Sequence, residues 1–151
     1  MRHIIRLFLL LMATSITSAN ERLLGKWKSS LGLSKNFYQQ HTILKPVQLE
    51  FIEQLFGNLE IEYKPGIATT RSRSKKIIIN GEQHDFTGNN YEAPYEILFE
   101  SDNKIVIKSL INGCWEASTL VFVNDNVYWV YPDDGDFGSD LNIREYFVRV
   151  K

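Results

Sequence analysis

Apolar and polar positions alternate with a period of two along much of this chain after Asn58. Leu59, Ile61 and Tyr63 fall on one face, Glu60 and Glu62 on the other. Tyr95, Ile97 and Phe99 repeat the pattern against Glu96 and Glu100. Such alternation marks a strand with one face in a core and the other in water. Further β-branched and aromatic runs cover residues 76–79, 105–110, 115–123, 127–131 and 143–150. In 115–123 both faces are apolar, so the pattern alone does not choose the inward one. Turn formers separate the runs: Pro65-Gly66, Asn80-Gly81, Asp102-Asn103, Asn112-Gly113 and Asn124-Asp125. Pairs of this kind tolerate the positive φ angles of tight hairpins. The last three connections are too short for a parallel crossover, so their strands must be antiparallel. The pattern predicts an all-β fold, an antiparallel up-and-down barrel of about eight strands.

The period changes once. Over residues 46–56, Val47, Phe51 and Leu55 recur every fourth position beside Ile52 and Phe56. Pro46 suits a first helical turn and Gly57 a helix stop. The reading is one short amphipathic helix after the first strand. Its apolar stripe fits a plug at one barrel end, a lid over a ligand, or a partner-docking face.

The start of the chain reads differently from the rest. A basic stretch with Arg2 and Arg6 precedes an apolar run, Leu7 to Ala13, and then small polar residues up to Ala19. That order is the layout of a secretory signal peptide, and the run is far below the roughly 20 residues of a membrane-spanning helix. The expectation is a signal peptide over residues 1–19, with Thr17 and Ala19 at the cleavage site, and one domain over 20–151. No membrane segment is then expected after cleavage. Cys114 is the single cysteine, and no Asn-x-Ser/Thr site occurs. No internal disulfide can form, and the combination favours a bacterial periplasm, with secretion as the alternative. Cys114 itself reads as a small buried residue. The formal net charge of −1 becomes more acidic once the two signal arginines leave, which argues against a nucleic-acid partner.

Two short motifs near the ends of the expected domain carry a resemblance. Gly25-Lys26-Trp27 fits the Gly-x-Trp signature that opens the first strand of lipocalin-like proteins, and Tyr146-Phe-Val-Arg149-Val150 is similar to their last-strand ending. The resemblance implies a calycin-type barrel in which a last-strand arginine packs over the first-strand tryptophan and helps close the barrel. Carried over, Trp27 pairs with Arg149, with Arg144 as second choice. It also implies a binding protein holding a small apolar or amphipathic ligand in the cell envelope.

No catalytic set is expected. His41 and His84 carry no flanking motif, and His84 falls in a polar stretch, 81–90, read as a loop. No nucleophile elbow or His-x-x-x-His occurs, so no cofactor and no metal is assigned and the enzyme reading ranks last. Asp133, Asp134, Asp136 and Asp140 gather carboxylates in one loop, but without the spacing of a twelve-residue calcium loop. They are read as a solvated loop or as the contact of an envelope protein partner, the role of an inhibitor or toxin-neutralising protein. Arg71, Arg73 and Lys75 share a face if extended, and the cost of burying unpaired cations turns that face outward. Aromatic residues make 13% of the chain. Tyr63, Tyr95, Phe99, Trp115, Trp129 and Tyr131 are the candidate walls of a ligand chamber, or else filling for a solid core.

Overall fold

The computed structural model describes residues 19–131 and 142–151. Among them are three helices, α1 (Ala19–Leu23), α2 (Leu31–His41) and α3 (Pro46–Leu55). The strands are β1 (Gly25–Ser29), β2 (Leu59–Lys64), β3 (Ile67–Ser72), β4 (Lys75–Ile79), β5 (Glu82–Phe86), β6 (Asn90–Ser101), β7 (Lys104–Ile111), β8 (Cys114–Asn124), β9 (Val127–Val130) and β10 (Glu145–Arg149). Eight of these strands close into an antiparallel barrel in the order β1-β10-β9-β8-β7-β6-β3-β2. The chain therefore meanders from neighbour to neighbour, interrupted only by the β4–β5 hairpin, which forms its own two-stranded sheet. No helix among the described residues is long and apolar enough to cross a membrane.

Closure depends on β1 pairing with β10, and Arg149 sits directly opposite Trp27 in that ladder. Its guanidinium carbon lies 4.3 Å from the centre of the Trp27 ring. Its three nitrogens donate to backbone carbonyls: Nη1 to Leu24 at 2.6 Å, Nη2 to Arg22 at 2.6 Å and Nε to Asp125 at 3.1 Å. One side chain thus ties together the entry to β1, the end of β10 and the β8–β9 turn. The Trp27 indole N–H donates back to the Leu23 carbonyl at 2.8 Å, and Leu23, the last residue of α1, is fully buried. Gly25 is needed at this junction: its φ is +113°, and a Cβ there would lie 3.2 Å from Arg149 Nη1.

The end closed in this way is packed solid. Trp27, Phe122, Tyr128 and Phe147 are all buried, and their rings touch in a continuous cluster. Tyr128 stacks on Phe147 at 5.1 Å between ring centres and meets Trp27 at 4.7 Å. Phe122 completes the group from β8, edge-on to Trp27 at 6.0 Å. Arg22 of α1 covers this end, stacking on Phe122 and pairing with Asp125.

At the opposite end, the helices form a second small core. Tyr38 of α2, Ile52 of α3 and Ile143 are buried together, with Leu44, Leu49 and Phe56 packed around them. The α3 helix was readable from its stripe, but it does not plug the barrel. Its Gln54 side chain hydrogen-bonds both ways with the Ile78 backbone, and Glu50 accepts from the Asn80 N–H at 2.9 Å. These polar contacts cover the free edge of β4. The α2 helix departs from the sequence expectation of a single helix. Its buried positions are only Ser34 and Tyr38, too few to make a visible stripe. Ser30 caps its start, and the Ser34 hydroxyl accepts from the Tyr146 N–H at 3.0 Å, fixing α2 to β10.

Three further expectations are corrected. The stretch expected to be a polar loop contains β5, whose polar residues are exposed because its hairpin stands off the barrel. Cys114 is exposed rather than buried, since it opens β8 directly after the Asn112-Gly113 turn. Arg71 and Arg73 do not join Lys75 in one strand, because β3 ends at Ser72 and β4 begins at Lys75.

Replacing Arg149 with Met should cost about 3 kcal/mol of stability, since it removes the ring contact and strands three carbonyls. Urea unfolding followed by circular dichroism measures this. A loss below about 0.5 kcal/mol, the scale of an ordinary surface change, would show that closure does not depend on the arginine.

Candidate functional site

Beyond the aromatic cluster the barrel is hollow. A cavity of about 230 Å³ opens toward the end where β7 turns into β8. Its walls are mostly apolar, part aromatic and part aliphatic, the latter including Leu59 and Ile61 from β2, Ala68 from β3, Ala93 from β6, Ile107 from β7 and Leu120 from β8. Tyr128 and Phe147 form part of the lining, so the cavity rests on the aromatic cluster. Two small residues face each other in register, Ala68 and Ala93, and their lack of bulk leaves the space open.

The six candidate wall residues separate into distinct groups. Tyr63 and Tyr131 line the cavity, Tyr63 along its side and Tyr131 at the rim, where it is 40% exposed. Tyr95 points inward but lies behind Tyr63, edge-on at 5.4 Å, as part of the core. Phe99, Trp115 and Trp129 are on the outer wall. Phe99 would share the face of Tyr95 in a regular strand. A bulge places Leu98 as an extra residue between Ile97 and Phe99, which reverses the face and leaves Phe99 54% exposed. Trp115 pairs with Leu110 on the outside and is covered by the Lys108 ammonium at 4.7 Å. Trp129 stacks under Arg144 at 3.9 Å, and Phe37 of α2 lies on the same guanidinium at 4.2 Å. Arg144 therefore fastens α2 to the barrel wall, while Arg149 holds Trp27.

The polar group with the strongest claim on the cavity was not anticipated. Glu145, the first residue of β10, turns inward into the lining. Its parity was available in the sequence, because Glu145, Phe147 and Arg149 alternate along one face and Arg149 had already been placed against Trp27. Glu145 accepts a short hydrogen bond from the Ser29 hydroxyl, which in turn accepts from the Gly57 N–H at 2.8 Å. Part of its surface faces the cavity, but protein crowds it on nearly every other side. Burial pushes its carboxyl up to about 7, and the Ser29 bond opposes this only in part. Deeper in, the Tyr128 hydroxyl is buried without a hydrogen-bond partner among the described residues. Burial first, and then Tyr63 and Glu145 nearby, raise it well above the usual phenol range. Burial likewise raises Tyr63.

His41 and His84 are both exposed. Among the described residues no group of three or more His, Cys, Asp or Glu side chains is placed to hold a metal ion. Asp133, Asp134, Asp136 and Asp140 lie outside the described residues. Comparison of this chain with family models, curated proteins and solved structures finds no match to any of them.

The Glu145 carboxyl sets a pH signature. With a folded pKa near 7 against an ordinary value of 4.5, the folded state holds an extra proton between those limits. Its contribution to stability is full below about pH 4.5 and is lost as pH rises through about 7. Relative to Glu145→Gln, the wild-type protein should therefore lose about 2 kcal/mol between pH 5 and pH 8. Urea unfolding of both proteins at the two pH values decides this; parallel pH profiles would mean that the carboxyl is solvated.

Proposed function

We propose that this chain is an exported, lipocalin-like binding protein that holds one small apolar or amphipathic molecule in the open half of its barrel. The observation that carries this reading is the division of the interior. One half is filled by stacked rings, and the other is an apolar chamber reached from the rim at Tyr131. A barrel kept only for stability gains by filling its interior, since each unfilled methyl-sized space costs about 1 kcal/mol. The chamber combines apolar walls with a few convergent polar groups, the usual make-up of a ligand site. At about 230 Å³ it falls below the roughly 300–1,000 Å³ of drug-sized sites, so the ligand class is small. The Trp27–Arg149 closure supports the lipocalin-like assignment, and the basic-apolar-small start of the chain supports a place in the periplasm or outside the cell. Among the described residues the lining is mainly apolar, with Glu145 as its one carboxyl, which supports a reading of binding.

Ala93→Leu should fill the chamber from β6 while leaving the aromatic cluster intact. An apolar fluorescent probe such as 1-aminoanthracene should brighten with the wild-type protein and not with this variant, with unchanged circular dichroism. Equal brightening with both proteins, or none with the wild type, would contradict a ligand chamber at this position.

A further inference from the structure

We infer that the chamber is selective for a small organic cation, an amine with an apolar body, whose ammonium group pairs with Glu145. This rests on the binding-protein reading above and adds the chemical class of the ligand. Three observations carry it. Glu145 is the one ionisable acid or base of charge-bearing type in the lining, and no Lys, Arg or His lines the chamber among the described residues. An anionic ligand would find hydroxyl donors but no cationic side chain there, and it would face a carboxyl. Second, among the described residues Glu145 has one hydrogen-bond partner, the Ser29 hydroxyl, although a carboxylate can accept about four hydrogen bonds. Its remaining capacity faces the chamber. Third, the chamber carries the faces and edges of Tyr63, Tyr91, Tyr128 and Tyr131, and aromatic rings attract cations through their negative faces. A lone carboxyl, aromatic walls and no competing cation together suit an alkylammonium or arylalkylammonium group.

The surroundings of Glu145 leave that pairing open. From β1 it meets Ser29, and from β9 the Tyr128 phenol lies close enough to feel its charge. Its neighbour Arg144 is turned to the outer wall between Phe37 and Trp129. On α2, Lys35 pairs with Glu53 at 2.5 Å and Tyr38 also approaches Glu53 at 3.5 Å, while His41 lies against Phe37. None of these supplies Glu145 with a counter-cation. A ligand amine stays protonated throughout the neutral range, as lysine does. Glu145 therefore governs the pH dependence: burial holds it neutral below about pH 7 and it ionises above. If only the ionised form captures the ammonium, affinity should rise about tenfold from pH 6 to pH 8.

The test uses three probes with one apolar body, hexylamine, hexan-1-ol and hexanoate, in calorimetric titration of the full protein at pH 6 and pH 8. Hexylamine should bind at least tenfold more tightly than the other two at pH 8, weaken about tenfold at pH 6, and lose its advantage in Glu145→Gln. Ser29→Ala, which removes the hydroxyl that favours the ionised carboxyl, should move the midpoint of the hexylamine profile to higher pH without requiring any change at Glu145. Equal binding of amine and alcohol, preference for hexanoate, or a flat pH profile would overturn the cation assignment while leaving the binding reading intact. Failure of all three probes to bind would overturn both.

Discussion

The fold turns on what one guanidinium does at the seam of the barrel. A closed sheet must bring its first and last strands together, and in a chain of this length those strands are far apart in sequence. Arg149 solves three problems at that seam at once. It covers the face of Trp27, it satisfies carbonyls of Arg22, Leu24 and Asp125, and its bulk is accommodated only because Gly25 lacks a side chain. A carbonyl left without a donor in a closed barrel end carries a desolvation cost comparable to a lost hydrogen bond. A lysine's donors all radiate from one nitrogen, whereas the planar fork carries three nitrogens to three separate carbonyls.

Fixing the seam at one end has a consequence at the other. Trp27 held under Arg149 organises Phe122, Tyr128 and Phe147 into a single ring cluster, and that cluster supplies a rigid floor. Above it, the small pair Ala68 and Ala93 cannot reach across, so space remains. A carboxyl placed on this wall loses most of its water and keeps one hydroxyl donor. The raised pKa of Glu145 follows from that placement rather than from any neighbouring charge. The stability of one half and the chemistry of the other are thus consequences of the same closure.

Much of this was legible in the sequence, for identifiable reasons. Alternation of period two located β2 and β6, which each have one wet face, and apolar runs between turn formers located β7 to β10. The contact between Trp27 and Arg149 was readable from motifs at the two ends of the barrel. Phe99 was misleading because a bulge adds one residue without changing the local pattern, and the face of every later residue in the strand depends on it. Trp115 lies in a run that is apolar on both faces, so only its pairing with Leu110 places it outside. The α2 helix was hidden because it binds the barrel through a serine hydroxyl and one stacked arginine rather than an apolar stripe. Glu145 was overlooked as an ordinary polar strand residue, although counting by twos from Arg149 points it inward. Position in a strand was easier to read than the chemistry of a position where polarity and inward parity conflict.

The barrel is solid at the Trp27 end and encloses a sheltered chamber at the Glu145 end. Carbon-13 NMR of the glutamate side-chain carboxyls across pH 3 to 9, with the Glu145 signal assigned by its loss in Glu145→Gln, tests it most directly. The Glu145 carboxyl should titrate near 7. A Glu145 signal titrating near the ordinary carboxyl value of 4.5 would contradict the enclosed chamber.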